Sequence, residues 1–208
     1  MKSKIIYLLG FIHLFFFVLS VSIAITISFV PLYVFDIDYL NIANKIGLAK
    51  EVILKNYSIL LKYLTIPWVT ELKMPNFPSS EKGLFHFFEV KKLFSLDYIV
   101  LFFSGIGSVL FVYYLRNRKE IWKLSRFFLW GSLLTPLLII ALFINFDTLF
   151  ILFHQVSFNN DAWLFNASTD PIILALPEAF FMHSFILAFT LFEVFFIISY
   201  LISKRTRL

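Results

Sequence analysis

"IIYLLGFIHLFFFVLSVSIAITISFVPLY", residues 5–33, contains no charged side chain from end to end. A helix of roughly 20 residues crosses the hydrocarbon core of a bilayer, so this stretch is long enough to span one. It exceeds a typical signal-peptide core, and the following "SFVPLYVFD" offers no small-x-small cleavage site, so it reads as a retained span. Three further apolar runs of spanning length follow, at about 98–115, 127–146 and 179–203. The expected architecture is an all-α membrane protein with four transmembrane helices, forming a single integral membrane domain over residues 1–208.

Composition agrees with that frame. The 208 residues are 60% hydrophobic and only 15% charged, with mean hydropathy +0.87, whereas soluble domains carry about a quarter charged residues. The absence of cysteine excludes disulfides, a thiol nucleophile, cysteine metal sites and anchoring through a lipidated cysteine. A net charge of +5 raises the possibility of a nucleic-acid partner, but the cations sit at the edges of the apolar runs, where membrane orientation explains them. No nucleic acid is expected.

Lys2 and Lys4 precede the first run. Arg116, Arg118, Lys119, Lys123 and Arg126 crowd the connection between the second and third, and Lys204, Arg205 and Arg207 close the chain. The connection 147–178 has no basic residue. The positive-inside rule then places both termini in the cytoplasm and segments 34–97 and 147–178 outside, as an extracellular cap. The eight lysines of 34–97 count little, because connections longer than about 60 residues cross largely regardless of charge.

Within that cap, Lys45, Lys50, Glu51, Lys55 and Lys62 fall near one face of a helix running from Lys45 to Leu64. Ile46, Val52, Ile53, Leu60 and Leu64 fall on the other. Such an amphipathic helix suits the surface of the outer leaflet. Pro67, Pro75 and Pro78 then forbid a long helix, and a short β-hairpin fits the segment before helix resumes near Leu84.

Of the four histidines, His13 lies in an apolar helix and reads as packing, and His183 enters the fourth span at interface depth, where a polar tip is unremarkable. His86 and His154 stand apart, each near carboxylates in the cap. Histidine is the usual general base near neutral pH, and a carboxylate can set its tautomer; a solvated interfacial histidine is the bland alternative. His86 and Glu89 are spaced i, i+3, on one helical face. No H-E-x-x-H pattern is present, and neither metal nor cofactor is expected. No G-x-S-x-G elbow offers a serine nucleophile. Asn159, Asn160 and Trp163 carry donors for a lipid headgroup or a developing oxyanion, and Asp161 and Asp170 suit holding a histidine or an amine. Alternatively, "NND" and "STDP" are turn and cap signals, with Ser168, Thr169 or Asp170 starting the fourth helix. Glu193, in mid-span, reads as a neutral acid bonded to a neighbouring helix.

Two segments carry a family resemblance. "SSEKGLFHFFEVKKLF" (79–94), with its H-x-x-[DE]-V-K pattern, resembles a bacterial integral membrane family, the lipoprotein intramolecular transacylases. So does "FHQVSFNNDAWLFNASTDPIILALPEAFF" (153–181), with H-x-x-x-F, W-x-F, T-D-P and P-E-x-F-F in order. The resemblance covers essentially the whole chain; Glu89 stands where the family usually has Asp, so the carboxylate is kept. It implies an enzyme of the cytoplasmic membrane with its active site at the extracellular face. The implied substrate is a lipoprotein whose N-terminal cysteine carries a diacylglyceryl thioether and a free amine. The sn-2 acyl chain would move to that amine, giving the lyso form. His86 and His154 would be the catalytic histidines, with Glu89, Asn160, Asp161, Trp163 and Asp170 binding or orienting substrate among membrane lipids. A metal-dependent hydrolase of lipid or peptide, or a non-enzymatic membrane protein, would share the topology.

Overall fold

The computed structural model describes residues 2–206, so Arg207 lies outside the described residues. They form helices α1 (Lys2–Ser28), α2 (Val30–Tyr39), α3 (Ile42–Ile46), α4 (Lys50–Thr65), α5 (Glu81–Asn117), a 3-10 turn (Ile121–Lys123), α6 (Leu124–Ile144), α7 (Phe146–Ser157), α8 (Ile172–Ala175) and α9 (Glu178–Arg205). Four are long and apolar enough to cross a membrane: α1, α5, the turn with α6, and α9. Among the described residues there is no strand, so the expected β-hairpin does not form.

The chain divides into two compact units. One gathers α1, Asp97–Ile144 and the chain from Phe185 onward; the other comprises Phe29–Leu96 and Asn145–Ser184. Helices α5 and α9 contribute to both.

In the first unit Leu14, Val18, Phe111, Leu115, Leu124, Phe128, Phe192 and Phe196 form the core. Glycine sets how closely the helices approach. A Cβ on Gly131 would lie 1.8 Å from the Phe196 ring, so only a hydrogen fits there. Leu133, Leu137, Phe102 and Val109 point outward, as lipid-facing positions should. Glu193 meets the hydroxyl of Thr135 on α6.

The second unit departs from the sequence expectations in three places. The first apolar run does not continue to residue 33. It breaks at Phe29, because the ring of Pro31 cannot lie inside a continuing helix and instead occupies the first turn of α2. The helix expected from Lys45 to Leu64 is interrupted at Gly47, a left-handed cap (φ 68°) that closes α3 before α4 starts. The buried face of α4, Ile53, Leu60, Tyr63 and Leu64, joins Tyr33, Ile37, Ile42, Phe77, Phe87, Ile172 and Phe180 in a core. That face is therefore covered by protein. The hairpin is replaced by an irregular segment stitched by side chains. Buried Asn56 donates to Asn76 Oδ1 (3.0 Å) and accepts from its N–H (3.2 Å), while Lys91 Nζ donates to the carbonyls of Ile66 and Val69. Prolines at 67, 75 and 78 lack the N–H that a strand ladder needs, so side chains satisfy the backbone instead.

Candidate active site

Helix α5 begins well before its apolar run. Ser80 caps it, accepting the Gly83 N–H at 3.0 Å. Its first turns, 81–96, belong to the second unit, and the run 98–115 is already enough to span the membrane. His86 and Glu89 share one face of this early part, as their spacing requires.

His154 comes from α7, a helix within the connection read from sequence as a loop. Asn145 caps it by accepting the Thr148 N–H. The two imidazoles lie 5.8 Å apart between ring centroids. Both are buried, His86 being 7% exposed and His154 8%. Aromatic rings wall them in: Phe158 and Phe165 meet His86 edge-on at 4.9 and 5.4 Å, and Phe150 and Trp163 lie 4.2 and 4.7 Å from His154.

Hydrogen bonds assign the His154 tautomer. Its Nδ1 is 2.7 Å from the Phe150 carbonyl, which can only accept, so Nδ1 carries the proton and Nε2 keeps a lone pair. His86 Nδ1 is buried without a partner among the described residues. Burial, then the proximity of His154, pushes His86 down to about 4. Burial also lowers His154, opposed by the bond to Phe150. Both rings are consequently neutral near pH 7.

The carboxylates do not pair with the histidines. Glu89 accepts from Asn160 Nδ2 through both oxygens, at 3.0 and 3.1 Å, while Asn160 Oδ1 accepts the Ala162 N–H at 2.8 Å. This clamp ties the turn after α7 to α5. Asp161 is exposed and makes no ion pair among the described residues. Asp170 starts neither the short α8, whose cap is Pro171, nor α9. It reaches across to α5, accepting the Ser80 N–H at 2.8 Å and the Thr169 hydroxyl at 2.6 Å. Burial pushes its pKa up, but those hydrogen bonds and Lys82 outweigh it and hold the carboxyl below the usual carboxylate range. Asp170 thus serves the helix that carries His86.

Two features escaped the sequence reading. The aromatic walls were invisible because phenylalanine is everywhere in this chain; only the i−4 placement of Phe150 relative to His154 was available as a signal. The second is a histidine–carboxylate pair: His183 Nδ1 lies 2.7 Å from Asp36 Oδ1, and Asp36 is fully buried.

Among the described residues no three His, Asp or Glu side chains gather as potential metal ligands. The arrangement suits proton transfer by uncharged imidazoles buried among aromatic rings. The four apolar helices mark a membrane-integral protein, and the buried histidine pair is a candidate for acid–base chemistry. Comparison with known proteins agrees. The family model described as lipoprotein intramolecular transacylase Lit matches residues 8–181. The solved structure of the membrane-integral lipoprotein intramolecular transacylase Lit from Bacillus cereus matches with a TM-score of 0.90 and 31% identity, covering 99% of this chain and 96% of that one. Two structures of the same Bacillus cereus protein, each with one histidine replaced, by arginine or by alanine, match with a TM-score of 0.84 and 30% identity. Each covers 99% of this chain, and 92% and 94% of theirs. No curated protein is significantly similar. The chain belongs to the lipoprotein intramolecular transacylase Lit family, and is an acyltransferase.

Proposed function

We propose that this enzyme moves the sn-2 acyl chain of a diacylglyceryl-cysteine lipoprotein onto the lipoprotein's own α-amine. The observation that carries the reading is the buried, neutral His86–His154 pair with the His154 tautomer fixed by the Phe150 carbonyl. The amine nitrogen attacks the ester carbonyl carbon, a C–N bond forms, and the ester C–O bond breaks. The proton lost by the amine passes to His154 Nε2 and from there to the departing glycerol oxygen. No water is consumed, so product and substrate are isomers. Because nucleophile and ester share one molecule, proximity comes largely from the substrate, and the protein supplies proton transfer and oxyanion stabilisation.

His154 is the better base, since its Nε2 has a lone pair while His86 is held near 4, far from the optimum for a general base at neutral pH. His86 then donates an N–H toward the tetrahedral oxyanion. Glu89, Asn160 and Asp170 position these groups, and Trp163 lines the site.

The basic residues Arg116 to Arg126, with Lys204 and Arg205, support cytoplasmic termini. Residues 147–178, free of lysine and arginine, then face the exterior of a bacterial cytoplasmic membrane, where lipoproteins are displayed. The acidic side chains of 147–178 favour approach of a protonated amine, which gives up one proton to solvent before it attacks.

The test is mass spectrometry of N-terminal lipopeptides from a bacterium making diacyl lipoproteins, with and without this enzyme. An unchanged parent mass with the acyl chain relocated to the cysteine nitrogen supports the proposal. Loss of an acyl chain would mean hydrolysis and would sink it.

A further inference from the structure

A histidine that takes up a proton in a dry pocket needs something to stabilise its charge, and an adjacent carboxylate is the usual provider. Around His154 none is in place. Glu89 is engaged by Asn160, Asp170 by Ser80 and Thr169, and Asp161 is exposed. The titratable group that does face it, His86 from α5, is neutral and supplies no counter-charge. What His154 has instead is a set of aromatic rings, with Phe153 and Phe158 at 5.4 and 5.7 Å and two nearer ones. The Trp163 indole lies 4.7 Å away with the ring planes 30° apart, close to parallel, and Phe150 lies 4.2 Å away at 54°. A cation within about 6 Å of a ring centroid over its face is attracted by the ring quadrupole, most strongly by tryptophan and more so when desolvated.

We propose that Trp163 is a positioning residue whose indole face, with Phe150 and its backbone carbonyl, stabilises the His154 imidazolium in place of a carboxylate. The arrangement suits this substrate. A fixed negative charge beside the base would pair with the incoming ammonium and hold it protonated, whereas a π face stabilises the imidazolium without that competing anion. The role belongs to the ring face and not to the indole N–H.

This inference rests on the transacylase reading, but its primary measurement does not need turnover. The full-length protein in detergent, labelled with 15N-histidine, is titrated by NMR, with the His154 resonance assigned by its loss in His154→Gln. Trp163→Leu should lower the His154 pKa by about one unit, roughly tenfold in the protonation equilibrium. Trp163→Phe, which keeps a π face and removes the N–H, should retain most of the wild-type value. Site-specific replacement of Trp163 by a difluorinated tryptophan keeps its shape and hydrogen bonding while weakening its quadrupole. It should also lower the pKa, and it remains decisive if the leucine variant does not fold. In acyl transfer the same order should appear in kcat, with KM little changed. An unshifted His154 pKa in the fluorinated protein overturns the inference while leaving acyl transfer intact. Absence of acyl transfer by the wild-type protein, with the His154 pKa lowered in the fluorinated protein, would instead overturn the function proposed above.

Discussion

His154 and His86 illustrate how burial without charge shapes a residue's chemistry. Each is placed among aromatic rings, and each is a weaker base than histidine in water. Replacing either with alanine should reduce acyl transfer by about two to four orders of magnitude, the usual range for a lost general acid or base, in the lipopeptide mass assay. Their depressed values also link to stability. The folded state binds fewer protons than the unfolded chain between about 4, the folded value of His86, and 6.5, the unperturbed value. The contribution is therefore present above 6.5 and lost as pH falls through that window. His86→Gln should flatten the fall in thermal stability from pH 6.5 to 4, by about one proton in the linkage slope. An unchanged slope would mean that His86 is not buried as a neutral ring.

At the scale of elements, the site depends on how α5 begins. A Cβ on Gly83 would lie 2.1 Å from Asp170 Oδ1, so this turn of α5 must be glycine for Asp170 to reach Ser80. Gly83→Ala should cost roughly 1–3 kcal/mol, in the range for forced overpacking, and should lower acyl transfer, because it moves the turn that carries His86. Asn160→Ala removes both bonds to Glu89 and should cost about 1–3 kcal/mol through the carboxylate it strands. Thermal unfolding in detergent, read beside activity, checks both. If Asn160→Ala unfolds like the wild type and retains full activity, the clamp does not organise the site. The irregular segment 66–80 shows the same logic in another form: Asn56 and Lys91 provide backbone partners that prolines deny to a ladder.

On the scale of the whole molecule, the second unit is held by a buried acid as well as by its apolar core. Asp36 on α2 accepts from His183 on α9, its other oxygen has no partner among the described residues, and burial raises its pKa despite the histidine. His183→Ala would strand that carboxyl and should destabilise the protein by about 1–3 kcal/mol. Adding Asp36→Leu to that variant should recover part of the loss, since an apolar residue there needs no partner. If the double variant is no more stable than His183→Ala, as read by thermal unfolding, Asp36 is not the source of the cost.

The residue pattern made the four spanning helices legible, because a long apolar run has no other stable place than a bilayer. It also determined that His86 and Glu89 share a helical face, which periodicity imposes on any i, i+3 pair. The ordered motifs at 79–94 and 153–181 pointed to the transacylase family. Tertiary structure decided the rest. Glu89 binds Asn160 and not His86, Asp170 accepts from Ser80, the cap of α5, His183 finds Asp36, and α4 turns its apolar face into a protein core. Each of these is a contact between residues far apart in the chain. Local periodicity reports which face of a helix is apolar, but the partner that covers that face, or satisfies a buried polar atom, is chosen only when the chain packs.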